Sequence, residues 1–132
     1  MRASTKIMNT LYGILNVDRV KDLLDGDLHR NKSLEEMFDK KNVVIVPLTN
    51  PKVNDLIQEG VMNVNIFAPP LSNKAPDEDA LEEIFDAVDA VIKDYANTSN
   101  YYNFEISSES LVSDERDRTY LNVRVRFYVE SN

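Results

Sequence analysis

The sequence contains no cysteine and no tryptophan, and only three glycines and one histidine occur among its 132 residues. Without cysteine, the chain forms neither a disulfide framework nor a thiolate metal site, so its stability must come from packing. The glycines, Gly13, Gly26 and Gly60, stand outside any phosphate-binding loop, dinucleotide fingerprint or nucleophile elbow. The composition therefore argues against nucleotide-dependent chemistry and against serine hydrolysis.

The remaining candidates for chemistry are the single histidine and the carboxylates. His29 lies in a polar segment and has no second imidazole or thiol to join it as a ligand or base, which favours a surface residue. Acids gather between Asp77 and Glu83, but the EF-hand spacing with its central glycine is absent. We interpret these acids as complementing a helix dipole, with a weak cation site as the alternative. The sequence predicts no cofactor, no metal and no enzymatic activity.

The length and charge of the chain restrict its class further. The length suits one domain, predicted to span residues 1–132. No stretch approaches the roughly 20 apolar residues of a membrane span, and the N-terminus lacks the pattern of a signal peptide. A formal net charge of -8 argues against sequence-specific nucleic-acid binding, because gripping phosphates requires clustered lysine and arginine. It does not exclude DNA that merely passes the protein.

Two segments have helical periodicity. Apolar residues recur at offsets of three and four from about Ser4 to Leu24, with a break near Asn16, which we expect to cap a second short helix ending at Asp25-Gly26. The clearest helix is predicted at about 79–95, where one apolar stripe faces a row of acids and Lys93. Between residues 27 and 41, the capping-box pattern at 33–36 predicts one helical turn.

Four segments have the pattern of strands. A β-branched run at 43–46 ends at Pro47, and alternation at about 58–68 ends at Pro69-Pro70. Residues 102–107 and 121–129 alternate in the same way and are expected to form a hairpin with a long polar tip. The order of elements predicts an α+β fold, in which a mainly antiparallel sheet carries the amphipathic helix and the N-terminal helix on one face.

The sheet surface that faces away from the helices is the most informative part for function. On the last strand this surface carries Arg124, Arg126 and Tyr128, residue types that are enriched in protein interfaces. The hairpin tip adds Arg116 and Arg118. We interpret this tip either as a solvated loop or as a loop that contacts a partner. For Arg124, Arg126 and Tyr128 the alternative is that they lie on a sheet face exposed to solvent and bind no partner. Sheet edges must also be covered or paired, so we expect the chain to self-associate.

The sequence resembles the tail terminator and head-tail joining proteins of long-tailed bacteriophages and prophages in the order and residue pattern of its segments. The resemblance spans about 7–129 and is carried by a short strand ending at proline (VVIVP, 43–47) and by the phrase NVNIFAPP at 63–70. An acid-capped helix at 79–95 and a closing strand, YLNVRVRFYV at 120–129, complete the pattern. The segment 27–41 departs from it, because the family has a glycine-containing turn and more strand character there.

The resemblance implies a structural virion protein located in the tail or neck and assembled in the cytoplasm of a bacterial host. It implies a ring, usually a hexamer, that caps the last ring of tail-tube protein and presents a second surface to the head connector while DNA passes through it. Two alternatives remain open. One is a small cellular adaptor or regulatory domain that binds an acidic partner through Arg124, Arg126 and Tyr128. The other is a carboxylate-dependent hydrolase that uses Asp79 or Glu83.

Overall fold

The computed structural model describes residues 4–47, 52–53, 57–98 and 102–130. Three helices and six strands alternate in groups along this part of the chain. In chain order they are α1 (Ser4–Leu15), α2 (Asp18–Lys21), β1 (Leu28–Arg30), β2 (Asn42–Pro47), β3 (Lys52–Val53), β4 (Ile57–Phe67), α3 (Glu78–Ala96), β5 (Tyr102–Ser113) and β6 (Thr119–Glu130).

The strands form one sheet in the order β1-β2-β4-β6-β5, and β3 pairs with β4 outside this path. Every pair is antiparallel except β1 with β2, which is parallel. The long β4 and β6 are the centre of the sheet, paired over ten residues from Ile57↔Glu130 to Ile66↔Leu121. Because side chains alternate across a strand, this register puts the apolar residues of both strands on the same face.

Both long helices pack on that apolar face. The buried stripe of α3 consists of Leu81, Ile84, Val88 and Ile92, and α1 adds residues such as Ile7 and Leu11 to the same core cluster. Burial of each such side chain contributes about 1.5–3 kcal/mol relative to its exposed state. The predicted α+β fold, with helices on one sheet face, is therefore confirmed. No helix in the described part of the chain is long and apolar enough to cross a membrane.

The helix ends differ from the sequence-based expectations in detail. The side chain of Asp77 caps α3 by accepting a hydrogen bond from the Ala80 amide at 3.2 Å, and Glu78 and Asp79 follow in the first turn. The break after α1 is where it was predicted, but Val17, not Asn16, is the N-cap of α2, and α2 ends at Lys21. The expectation that this helix ends at Asp25-Gly26 is wrong, since residues 22–27 form turns.

The polar segment 27–41 also differs from its prediction. Residues 28–30 form the edge strand β1, and residues 31–41 contain turns in place of the expected helical turn. The Ser33 hydroxyl accepts only a long bond of 3.4 Å from the Glu35 amide, which is a local turn contact and not a helix cap. This segment wraps around the end of the sheet and buries Met37 and Phe38 there.

The hairpin has a shorter tip than the sequence suggested. The polar stretch after Ile106 continues as strand to Ser113, with a register shift between Ile106 and Ser108, so that the tip is only residues 114–118. The side chains of β5 are mostly exposed, and this strand forms because its backbone pairs with β6. The second half of β5 lacks alternating apolar residues because it lies at the edge of the sheet, where most of its side chains do not contact the core.

Candidate functional site

The five residues predicted to form an interface fall into two separate places. Arg124, Arg126 and Tyr128 lie on β6 and point to the face of the sheet opposite the helices, which we call the far face. Arg116 and Arg118 belong to the hairpin tip, at the end of the sheet. The structure thus divides the predicted set into a sheet-face patch and a tip patch.

The far-face patch is an open arginine and tyrosine surface. Arg124 and Arg126 are exposed, and Tyr128 is half-buried. The guanidinium carbon of Arg126 lies 5.3 Å from the centre of the Tyr128 ring, and its Nη1 is 3.7 Å from Oε1 of Glu105 on β5. Both partners of this ion pair are about half exposed, so the pair contributes little stability, in the range of about 0–1 kcal/mol. These side chains are therefore available to a partner at small cost.

Asparagines border this patch towards the centre of the sheet. The Nδ2 of Asn122 donates to Oδ1 of Asn65 at 2.7 Å, and Asn65 is buried. The neighbouring Asn63 is the cross-strand partner of Arg124, and its Oδ1 is buried without a hydrogen bond among the described residues. An unpaired buried acceptor costs about 1–3 kcal/mol. The polar part of the far face is therefore incompletely satisfied within one copy of the chain.

The other end of the far face is covered by a second hydrophobic cluster that the sequence analysis missed. It consists of Met37, Phe38, Val44 and Phe67, with Leu34, Val46 and Tyr120 packed around it. The Phe38 and Phe67 rings meet edge to face at a centroid distance of 5.0 Å, and Phe67 stacks on Tyr120 at 5.2 Å. Burial, and then the charge of Asp114, raise the pKa of Tyr120 above its ordinary value. Among the described residues, the half of the far face from Arg124 to Tyr128 lies beyond this cluster and remains open.

Arg118 closes this cluster and joins three parts of the molecule. Its Nε and Nη2 bond Oδ2 of Asp114 at 2.9 and 2.8 Å, and its Nη1 donates to the Glu35 carbonyl at 3.1 Å. Its guanidinium carbon lies 4.3 Å from the centre of the Phe38 ring. A guanidinium that binds a carboxylate oxygen through two of its nitrogens and stacks on a ring is held in place. Arg118 therefore anchors the tip within its own chain.

Arg116 has a different environment from Arg118. It is exposed, and it lines a cleft of about 600 Å³ together with Lys74, Pro70, Phe38 and the fixed Arg118. The lining of this cleft contains both basic residues, Arg116 and Lys74, and acidic ones, Asp39 and Asp117. Of the two tip arginines, Arg116 is the one whose side chain is open to contact.

Asp114 organises the tip through its carboxylate. Desolvation acts to raise its pKa, but hydrogen bonds from the Arg118 side chain and from the amides of Arg118 and Arg116, together with the Arg118 charge, outweigh it and lower the pKa. A folded-state pKa below the unfolded value means that the stabilisation is present above the unfolded pKa of about 3.9 and is lost as pH falls through the folded pKa.

We therefore expect the Asp114→Asn variant to be less stable than the wild type at neutral pH, by an amount that shrinks in acid. Urea unfolding of both proteins across about pH 2 to pH 7 measures this difference. The gap between the two free energies of unfolding should be constant above about pH 5 and narrow below about pH 4. A gap that stays constant through the acid range contradicts the role assigned to this carboxylate.

The remaining candidates from the sequence do not converge on a reactive centre. The Nε2 of His29 lies 3.1 Å from Oδ1 of the buried Asn42, so this half-buried ring belongs to a structural network. Asp79 and Glu83 are exposed on α3. Among the described residues, no three histidine or acidic side chains are grouped as metal ligands.

Comparison with known proteins adds no family to this picture. No protein-family model matches the chain, and no curated protein matches it significantly. The geometry of the far face and of the sheet edges is therefore the basis for a functional proposal, together with the resemblance in segment order.

Proposed function

We propose that the protein is a structural subunit of a tail terminator or head-tail joining ring, which caps the tail tube and connects it to the phage head. The observation that carries the proposal is the open half of the far face, where Arg124, Arg126 and Tyr128 form an uncovered patch opposite the helix layer. A sheet face left open in a two-layer fold is a natural contact surface. In this proposal the protein acts through its contacts with other copies of the chain and with partner proteins.

Charge supports contact between copies of the chain. The protein carries a net charge of -8, with 23 acidic and 15 basic side chains, so the surface of a second copy is acidic on average. Arg124 and Arg126 provide a local positive patch that such a surface complements. The patch and the helices lie on opposite layers of the fold, so that a contact from one layer to the other is heterologous. Heterologous contacts generate rings when the rotation between copies closes.

The resemblance described above supplies the biological role. The helix that begins after NVNIFAPP and the closing hairpin are the segments that the family pattern places in this order. In such a ring one surface matches the end of the tail tube and the other does not, so that tube growth stops. The mechanism is geometric and requires no reaction. The negative net charge reduces adhesion of passing DNA phosphates.

The mass of the purified protein in solution tests this proposal. Light scattering should give a mass that is a fixed multiple of the 15.1 kDa chain, and electron microscopy should show closed rings, alone or at the ends of tubes of tail-tube protein. A monomer at every concentration, with no ring in the presence of tail-tube protein, would remove the ring proposal.

The same patch also suits a second function, a small adaptor that binds one acidic partner. The exposed Arg124 and Arg126 favour this reading as much as they favour self-contact. Mass again separates the two: an adaptor stays monomeric alone and forms a one-to-one complex. Reversal of both arginines then weakens that complex and leaves the mass of the free protein unchanged.

A further inference from the structure

The outer edge of β5 is a long strand edge. Within the described part of the chain, β6 is the only strand that pairs with β5, which is the last strand in the sheet order. Every second residue of an edge strand directs its N–H and C=O groups away from its neighbour. The strand contains no proline, lysine or arginine, the residue types that commonly block pairing at an edge, and beyond the register shift at Ile106/Ser108 it is regular from Ser108 to Ser113. The backbone of β5 is therefore suited to accept another strand.

A groove runs beside this edge on the helix side. Its apolar floor is formed by Leu81 and Phe85 of α3, Leu111 of β5 and Leu121 of β6, and its volume is about 330 Å³. Leu111 is 45% exposed, the second-highest exposure among the large apolar side chains described. On the sheet α1 contacts β1 and β2, while α3 contacts β4 and β5, so the groove lies between α3 and the part of β5 that carries Leu111. Side chains of an added strand would enter it.

The rim of the groove is acidic. Glu78, Glu82 and Asp86 line it from α3, and Glu109 lines it from β5. None of these four carboxylates takes part in the ion pairs found among the described residues. Glu82 and Asp86 are four residues apart on one helix, an arrangement of like charges that costs a few tenths of a kcal/mol. A cationic partner would offset this repulsion.

We propose that the β5 edge and this groove form a strand-addition site for an extended segment of another protein. The recognised segment has an apolar side chain with lysine or arginine two residues before and two residues after it. In a strand these three side chains point to one face, so the apolar one meets Leu111 and Phe85 while the basic ones reach the rim. Backbone pairing with β5 supplies affinity, and the groove supplies selectivity.

A second copy of β5 is a poor occupant of this site. A second β5 strand carries Glu105 and Glu109 and no basic residue, so it offers no compensating charge to the acidic rim, and like charges across a strand pair are destabilising. The four rim carboxylates would add to this repulsion. The site is therefore distinct from the arginine patch on the far face, and it does not depend on whether the protein forms a ring.

The test uses the full-length protein and a fluorescently labelled, end-blocked peptide of sequence TKTLTKT, followed by fluorescence anisotropy. The Glu82→Lys/Glu109→Lys variant should weaken binding of this peptide at least about tenfold. The matched control, Glu83→Lys/Glu115→Lys, changes the net charge equally at exposed sites outside the groove and should bind as the wild type does. The peptide TETLTET should not bind. Thermal unfolding of each variant verifies that the fold is intact.

Two further peptides test backbone pairing directly. They carry N-methyl groups on the odd or on the even amides of TKTLTKT, so that only one set blocks hydrogen bonds to β5. Binding should be lost with one set and kept with the other. Absence of binding up to about 1 mM, equal weakening by both charge variants, or equal behaviour of the two methylated peptides would each overturn the proposal. A lower mass of the protein itself in the Glu82/Glu109 variant would also overturn it, by assigning the groove to a second copy.

Discussion

The double substitution Arg124→Glu/Arg126→Glu should weaken self-association at least about a hundredfold, corresponding to about 2.7 kcal/mol. Each arginine is exposed on the far face and would lose its attraction to the acidic surface of the next copy. Each new glutamate would add repulsion in a protein whose net charge is already -8. The fold should survive, because the ion pair that these arginines form within the described part of the chain is the long, exposed contact between Arg126 and Glu105. Light scattering over a concentration series measures the change.

The matched control for this substitution is Lys21→Glu/Lys32→Glu. Both lysines are exposed, lie outside the far face and change the net charge by the same amount. The control should keep the oligomeric mass of the wild type. If both double variants dissociate equally, general charge repulsion is responsible and the far face is not the subunit contact. If neither dissociates while the wild type is oligomeric, the contact lies on another surface.

Asn42→Ala should lower the free energy of unfolding by about 3 kcal/mol, a fall in melting temperature of about 10 °C. The Asn42 side chain is buried, and its Oδ1 accepts from the Asp27 amide at 2.8 Å. Its Nδ2 donates to the carbonyls of Met37 at 2.9 Å and Lys40 at 3.3 Å. The alanine variant leaves an amide and two carbonyls without these partners, and each such loss in a buried setting costs about 1–3 kcal/mol.

Chemical and thermal unfolding of this variant should be compared with Asn103→Ala, in which an exposed asparagine of β5 is removed. The control should change the free energy of unfolding by less than about 0.5 kcal/mol. A loss of similar size in both variants would show that the Asn42 network is not a major contributor. Because Asn42 also fixes residues that lead to Met37 and Phe38, its loss should increase hydrogen exchange in the segment 31–41.

The same network explains a glycine that the sequence analysis interpreted differently. Gly26 was expected to end a helix, but a Cβ at this position would lie 2.1 Å from Oδ1 of Asn42 and 2.8 Å from the carbonyl oxygen of Lys41. Its backbone is also not in the left-handed region. Glycine is required here for close approach between two segments about fifteen residues apart. Composition and spacing contain no signal for such a contact.

The fold and the far-face patch were accessible from the sequence to different degrees. The stripe on α3 and the alternation of β6 identified one buried face each, because a helix and a strand repeat at 3.6 and about 2 residues whatever they pack against. That periodicity also placed Arg124, Arg126 and Tyr128 on the opposite face. By contrast, periodicity could not show that Arg118 is held by Asp114 and Phe38, whereas Arg116 lies in an open cleft.

The sequence by itself determined the class of the fold, a helix at about 79–95 and the face of β6 that points into the core. Only the tertiary structure decided that residues 28–30 and 108–113 are strands, because their regular structure comes from backbone bonds to β2 and β6 and not from their own side chains. It also decided that β5 is the open edge and that α3 forms a groove beside it. The residue pattern of a segment indicates which of its side chains are buried. Which strands pair, and which strand lies at an edge, depends on contacts between segments that are distant in the sequence.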